Sequence, residues 1–162
     1  MLRSLFFIFL CISCASSWAL SKGDKAPAFS LFNLSGDKTI QLSDYQGKVI
    51  YLDFWASWCP PCRISLPLLE KMRTELAHQN FEIIAINVDE NPQDAKDFLK
   101  TFPVSYPIGG DKQGKLPELY QVQGMPTAFI IDKKGVIRVV HTSFKRKDIA
   151  KIKQVVSQLL AQ

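Results

Sequence analysis

What the sequence lacks narrows its class before any motif is considered. No stretch reaches the roughly 20 apolar residues that cross a bilayer, so a polytopic membrane protein is excluded. No stripe of basic residues interleaves with aromatics, so a nucleic-acid partner is not expected. The charge excess is small: 20 Lys plus Arg stand against 15 Asp plus Glu, a net +5. The densest basic run, Lys145-Arg146-Lys147 with Lys151 and Lys153, reads as a solvated face. There is no internal repeat and no low-complexity tract. Cysteine is scarce, with four in 162 residues. Two of them, Cys11 and Cys14, fall in a greasy N-terminal segment, which argues against a zinc site built from two Cys-x-x-Cys pairs. No metal and no cofactor are expected. What is present is a 47% hydrophobic chain, enough to build one core.

The N-terminus reads as an export signal. Arg3 supplies a positive charge, Leu5 to Ile12 form an apolar run, and small residues follow at Ala15, Ser16, Ser17 and Ala19. Ser17-Trp18-Ala19 fits a small-x-small cleavage site, which divides the chain into a signal over 1–19 and one domain over 20–162. Two alternatives stay open. Cys11-Ile12-Ser13-Cys14 partly resembles a lipoprotein box, in which Cys14 would carry lipid, although the usual Leu three residues before it is missing. The apolar run could also remain uncleaved as an anchor.

Beyond it, Leu20 to Ala28 reads as an exposed lead-in broken by Gly23, Asp24 and Pro27. Phe29 to Leu34 and Thr39 to Leu42 suit a hairpin turning at Ser35-Gly36-Asp37-Lys38. Val49 to Trp55 is nearly all apolar, as in a strand buried on both faces. A helix is expected from near Cys59 to about His78, with Leu66, Leu69, Met72 and Leu76 on one side and Pro67 inside. Phe81 to Val88 is the next strand. Asn91 and Pro92 open a helix reaching about Phe102. Tyr106 to Ile108 reads as a short strand, Gly109, Gly110 and Gly114 as loop, and Leu116 to Tyr120 as a helical turn. Thr127 to Ile131 and Val136 to Val140 form a hairpin, and Ile149 to Leu160 carries the apolar face of a last helix. This alternation specifies an α/β fold, a central mixed sheet flanked by helices.

The segment that carries chemistry runs from Asp53 to Cys62, Asp-Phe-Trp-Ala-Ser-Trp-Cys-Pro-Pro-Cys. A strand ends, a short turn follows, and a helix begins at the first cysteine. Free N–H groups and the positive dipole end there favour thiolate, so the Cys59 thiol should fall below its ordinary value. Cys62, two residues further on, can resolve a mixed disulfide on Cys59. A purely structural bridge between them would close a very small ring and constrain the unfolded chain little. Redox exchange is therefore the expected use.

Trp58-Cys59-Pro60-Pro61-Cys62, with Asp53-Phe54-Trp55 before it, Pro67 after it and Gly124-Met125-Pro126-Thr127 further on, resembles the thioredoxin superfamily. The likeness runs from about Gly23 to the C-terminus. The lead-in and the extra stretch from about Pro92 to Tyr120 look like the TlpA/ResA branch of exported disulfide reductases. The resemblance implies a thioredoxin-like fold with an N-terminal β-hairpin and a helical insertion. It implies that Cys59 is the exposed nucleophile, Cys62 the buried resolving thiol and Pro126 a cis-proline. Met125 would then present its backbone to an extended substrate, Trp58 would flank the sulfur, and Trp55 would pack beneath. Asp53 matches a buried carboxyl that takes a proton from Cys62. Two positions depart from the pattern: Ser65 stands where many ResA-type reductases have Glu, and Ala85 where thioredoxins have Lys. The implied partners are exported protein disulfides, apocytochrome c among them, and a transmembrane thiol donor of the DsbD/CcdA kind. The expected protein is a monomer in the periplasm or at the envelope exterior. An oxidase or isomerase, and a binding module or copper carrier built around Met125, are the alternatives.

Overall fold

The computed structural model describes residues 20–162. The expected signal over 1–19, its cleavage site, and Cys11 and Cys14 lie outside the described residues. Two short strands, β1 (Ser30–Phe32) and β2 (Thr39–Gln41), pair as an antiparallel hairpin, and a 3-10 turn over Leu42–Tyr45 follows. The chain continues through β3 (Val49–Trp55), α1 (Cys62–Glu75), β4 (Phe81–Asn87) and α2 (Pro92–Thr101). It then forms β5 (Ile108–Gly110), α3 (Lys115–Leu119), β6 (Thr127–Ile131), β7 (Ile137–Thr142) and α4 (Asp148–Leu160). The larger sheet has the order β5-β4-β3-β6-β7. β3, β4 and β5 run parallel, while β6 and β7 are antiparallel to their neighbours.

Side chains alternate across a strand, so each central strand feeds two cores. Val49, Tyr51 and Trp55 of β3 join Leu66, Leu69 and Met72 of α1, Phe98 of α2 and Val156 of α4. Ile50, Leu52 and Phe54 join Ile40, Leu116, Tyr120 and Phe129 on the other face. The second core is covered by α3, the hairpin and the lead-in rather than by long helices. Phe54, Tyr120 and Phe129 form an aromatic knot there, with centroids 5.1–6.0 Å apart.

Two expectations need correction. α1 begins at Cys62, three residues after Cys59, and ends at Glu75 rather than near His78. The stretch after Pro92 holds a short strand between its helices, as expected, and this is the edge strand β5. That strand sits two residues later than expected and uses Gly109 and Gly110, whose glycine content signals a loop. A Cβ on Gly109 would lie 3.2 Å from Ile86 Cδ1 of β4, and one on Gly110 would lie 3.3 Å from Leu34 Cδ2, just past β1, so close packing of neighbouring side chains favours glycine at both positions. The lead-in is largely exposed, as expected, and is tied to β7 and the turn before it: Gly23 N–H donates to Ile137 O, Ile137 N–H to Asp24 O, and Ala26 N–H to Gly135 O.

Asp53 is the one charged residue in β3. It stands in register with Ala85 of β4 and Ala128 of β6. By alternation it points to the same face as Tyr51 and Trp55. The two alanines leave room for a carboxyl group but offer it no polar side chain. Asp53 is 1% exposed, and its Oδ2 has no hydrogen-bond partner among the described residues. Burial alone pushes its pKa up to about 8. Its charge, when present, adds to burial in raising the Tyr51 and Tyr106 phenols well above their usual range.

This sets a pH dependence of stability. The folded pKa lies above the unfolded value of 3.8, so the folded state holds a proton that the unfolded state releases. Stability is full below pH 4 and is lost as pH rises towards 8. Asp53→Asn removes that loss. Chemical denaturation from pH 4 to 8 should show the parent weakening by on the order of a few kcal/mol relative to the variant. Parallel pH profiles for the two proteins would contradict the assignment.

Candidate active site

The carboxyl end of β3 delivers the chain into a tight turn. Cys59 N–H donates to Ala56 O at 3.2 Å, and Cys62 N–H donates to Cys59 O at 3.1 Å. Arg63 N–H then donates to Pro60 O, and the Ile64 and Ser65 N–H groups both donate to Pro61 O. Pro60 and Pro61 have no N–H to give. Every backbone N–H from Cys59 to Ser65 is therefore either absent or engaged. The expectation of free N–H groups at Cys59 is corrected: the helix dipole still ends there, but its first donors are closed by carbonyls of the motif itself.

Cys59 and Cys62 form a disulfide, with Cα atoms 5.4 Å apart. Both are buried, Cys59 at 1% exposure, where the resemblance implied an exposed nucleophile. In this bridged state Cys59 belongs to the core that holds Trp55, Ala56, Cys62 and Leu66. The accessible feature is Trp58, 64% exposed beside it, with Ile64 of α1 also exposed. Trp55 is fully buried and packs on Phe98 at 5.2 Å.

Pro126 follows a cis peptide bond from Met125. Its carbonyl accepts from Ser143 N–H at 2.9 Å, and Thr127 Oγ1 donates to Gly124 O at 2.7 Å, which fixes the segment on both sides. Met125 is partly buried and packs against both cores. Neither its N–H nor its carbonyl bonds to another group among the described residues. Its backbone is thus available to an extended chain.

The other singled-out positions lie around this centre. Asp53 shares its sheet face with the core that contains both cysteines. Ser65 is fully buried, and its hydroxyl donates to Cys62 O at 3.4 Å, so it serves the turn rather than titrating. Ala85 is the cross-strand neighbour of Asp53.

Asp89, just past the carboxyl end of β4, is a functional candidate that sequence reasoning misses. It is 3% exposed and accepts from Ser57 N–H at 3.0 and 3.2 Å and from Ser57 Oγ at 3.0 Å. Asn87, 1% exposed, donates through Nδ2 to Asp89 Oδ2 at 2.8 Å and accepts the Asp89 N–H at 3.2 Å. Two polar residues closing an apolar strand at Asn87-Val88-Asp89 are the available signal.

Comparison with known proteins agrees with this geometry. The AhpC/TSA family matches residues 22–140. The thioredoxin-like protein YneN of Bacillus subtilis (strain 168) is 37% identical over 131 residues, 79% of this chain and 75% of its own length. The thiol-disulfide oxidoreductase ResA of Geobacillus kaustophilus (strain HTA426) is 35% identical over 130 residues, 80% of this chain and 74% of that one. A crystal structure from Chlorobium tepidum, of a protein described as a thiol:disulfide interchange protein DsbE, superposes with a TM-score of 0.84. It is 41% identical and covers 88% of this chain and 99% of that chain. Its fold, its paired cysteines and these relatives together place the chain in the AhpC/TSA family, as a thiol–disulfide oxidoreductase of thioredoxin-like fold.

Proposed function

We propose that the protein works as a reductase, opening disulfides of exported proteins through Cys59 and Cys62, with apocytochrome c as a substrate of the expected class. The observation that carries the direction is the engagement of every N–H from Cys59 to Ser65. A couple becomes oxidising when its reduced form is stabilised, above all by donors to the thiolate. This turn supplies the dipole but no free N–H group, so its dithiol gives up electrons readily. The likeness to ResA and to the DsbE-described protein supports the reading.

In the reduced protein the Cys59 thiolate attacks a substrate disulfide. The Cys59–substrate bond forms, the substrate S–S bond breaks, and one substrate thiolate leaves. Cys62 then loses its proton to Asp53, in the fraction of molecules where that carboxyl is ionised, and attacks Cys59 Sγ. The protein disulfide forms, the second substrate thiolate leaves, and two electrons have passed to the substrate. With a pKa of about 8, Asp53 keeps the proton at neutral pH in the oxidised protein. It is thus loaded for the return step. A donor thiolate, by this reading from a transmembrane carrier of the DsbD/CcdA kind, attacks Cys59 Sγ and forms a donor–Cys59 disulfide, the departing Cys62 thiolate takes the proton back, and the donor's second thiolate then attacks the donor sulfur and releases the Cys59 thiolate. Trp58 and the free backbone of Met125 hold the substrate chain beside Cys59. The N-terminal charge pattern supports export, in a monomeric protein released by cleavage or held through Cys14 or an uncleaved segment. Among the described residues no helix is long and apolar enough to cross a membrane.

Two measurements test this. The redox midpoint of the Cys59/Cys62 couple should be about −270 mV, and a value of about −120 mV would make the protein an oxidase. In the native host, Cys62→Ser should accumulate mixed disulfides with exported proteins in the envelope fraction, while Cys59→Ser traps none. Adducts found only with cytosolic proteins, or trapping by Cys59→Ser alone, would refute the assignment.

A further inference from the structure

We propose that Asp89 and Asn87 together form a positioning clamp for the attacking cysteine. The pair holds Ser57 so that Trp58 and Cys59 present one geometry to substrate. The inference deepens the reading of Cys59 as attacking thiol and Trp58 as docking surface, and rests on it.

The turn from Ala56 to Cys59 joins β3 to α1 with few anchors of its own. Its only backbone bond inside the turn is Cys59 N–H to Ala56 O. The adjoining anchor comes from outside. Asp89, 32 residues further along the chain, receives both the N–H and the hydroxyl of Ser57. Asp89 has no cation beside it in any ion pair among the described residues. Its carboxylate is held by neutral donors alone, and a buried charge so held is intolerant of losing one of them.

Asn87 determines which way that carboxylate faces. Its Nδ2 donates to Asp89 Oδ2 while its Oδ1 accepts the Asp89 N–H. Asn87 is itself fixed, because its carbonyl accepts Asp111 N–H at 2.8 Å and it closes β4 opposite Trp55. Val88 N–H donates to Trp55 O at 3.1 Å, tying the same loop to the last residue of β3. The ends of two parallel strands therefore grip the turn from one side. The sulfur of Cys59 lies two residues beyond the grip and the indole of Trp58 one residue beyond it. Neither Asp89 nor Asn87 contacts the disulfide in any bond described. Their effect on the reaction passes through the backbone of residues 57–59.

The hydrogen-bond pattern yields a specific exchange test. Asp89→Asn alone sets one amide NH₂ group against another or against the Ser57 N–H. Asn87→Asp alone sets two buried carboxylates face to face. The double exchange, Asn87→Asp with Asp89→Asn, restores every pairing but one: the Ser57 N–H keeps its acceptor at the Oδ1 position and loses the shorter leg to Oδ2. The new amide's oxygen at position 89 would accept from Ser57, and its NH₂ group would donate to the new carboxylate at position 87. Net charge is unchanged in the double variant.

The full-length protein and the three variants are compared below their melting midpoints, by hydrogen exchange of the 57–59 amides and by kinetics on a protein disulfide. Each single change should speed exchange at 57–59 and lower kcat/KM by about tenfold, as expected for one unmade buried hydrogen bond. KM should carry more of the loss than kcat, because Trp58 forms the docking face. The double exchange should return both readouts to within about threefold of the parent. Single variants that match the parent in exchange and KM would overturn the clamp. So would a double variant that regains the parent's melting midpoint but not its kcat/KM. A parent inactive on protein disulfides would sink the reductase reading instead, and the exchange data would still decide the clamp.

Discussion

Strand β3 has no solvent-facing side. All seven of its residues are buried, and its neighbours β4 and β6 supply backbone partners on both edges. A strand so enclosed cannot slip by one residue without sending Tyr51 and Trp55 into the core that belongs to Leu52 and Phe54. Its register is therefore fixed, and with it the level of Asp53 and the point where the chain leaves the sheet towards Cys59. The remaining parts of the site attach to this frame. β4 ends alongside β3 and offers Asn87 and Asp89, and β6 begins alongside it and offers the Met125–Pro126 segment.

Two electrostatic effects act on the cysteines from opposite sides of this frame. The end of α1 lends a partial positive charge, which favours the Cys59 thiolate. The closed N–H groups of the turn limit how far that stabilisation goes. Beneath, Asp53 sits in an apolar layer that favours its neutral form until a proton must move. The cost of burying this group falls on stability, while in the proposed mechanism its benefit falls on the redox step. A residue that weakens the fold near neutral pH is retained at the centre of the sheet, as expected of a functional site rather than a packing position.

The sequence made the frame legible wherever burial was continuous. The nearly apolar runs of Val49–Trp55 and Thr127–Ile131 read as strands, the first enclosed on both faces, and Asn91-Pro92 marked the start of α2 through its cap. Features that depend on tertiary approach were hidden. Gly109 and Gly110 resemble a loop because glycine signals turns, yet they are strand residues crowded by the side chains of Ile86 on β4 and Leu34 after β1. The residue pattern places the start of α1 three residues early, because the prolines after Cys59 resemble a first helical turn, whereas hydrogen bonding there is of the tight i to i+3 kind. The burial of Cys59 is seen in the disulfide-bonded state and depends on how the turn packs against the core, which the residue pattern does not encode. Asp89 is not legible because its partner, Ser57, is distant in sequence and neither residue is unusual alone.

The redox step as derived depends on one protonation state: a neutral Asp53 on the core face that carries the closed disulfide. Infrared difference spectroscopy of the oxidised and reduced protein tests it directly, since a protonated buried carboxyl has a carbonyl stretch separate from that of ionised carboxylates. The expected result is this band in the oxidised protein at pH 7, its loss on titration with a midpoint near pH 8, a change on reduction of Cys59–Cys62, and its absence from Asp53→Asn. An oxidised protein at pH 7 with no such band, or one in which the band is unmoved by reduction, would contradict it.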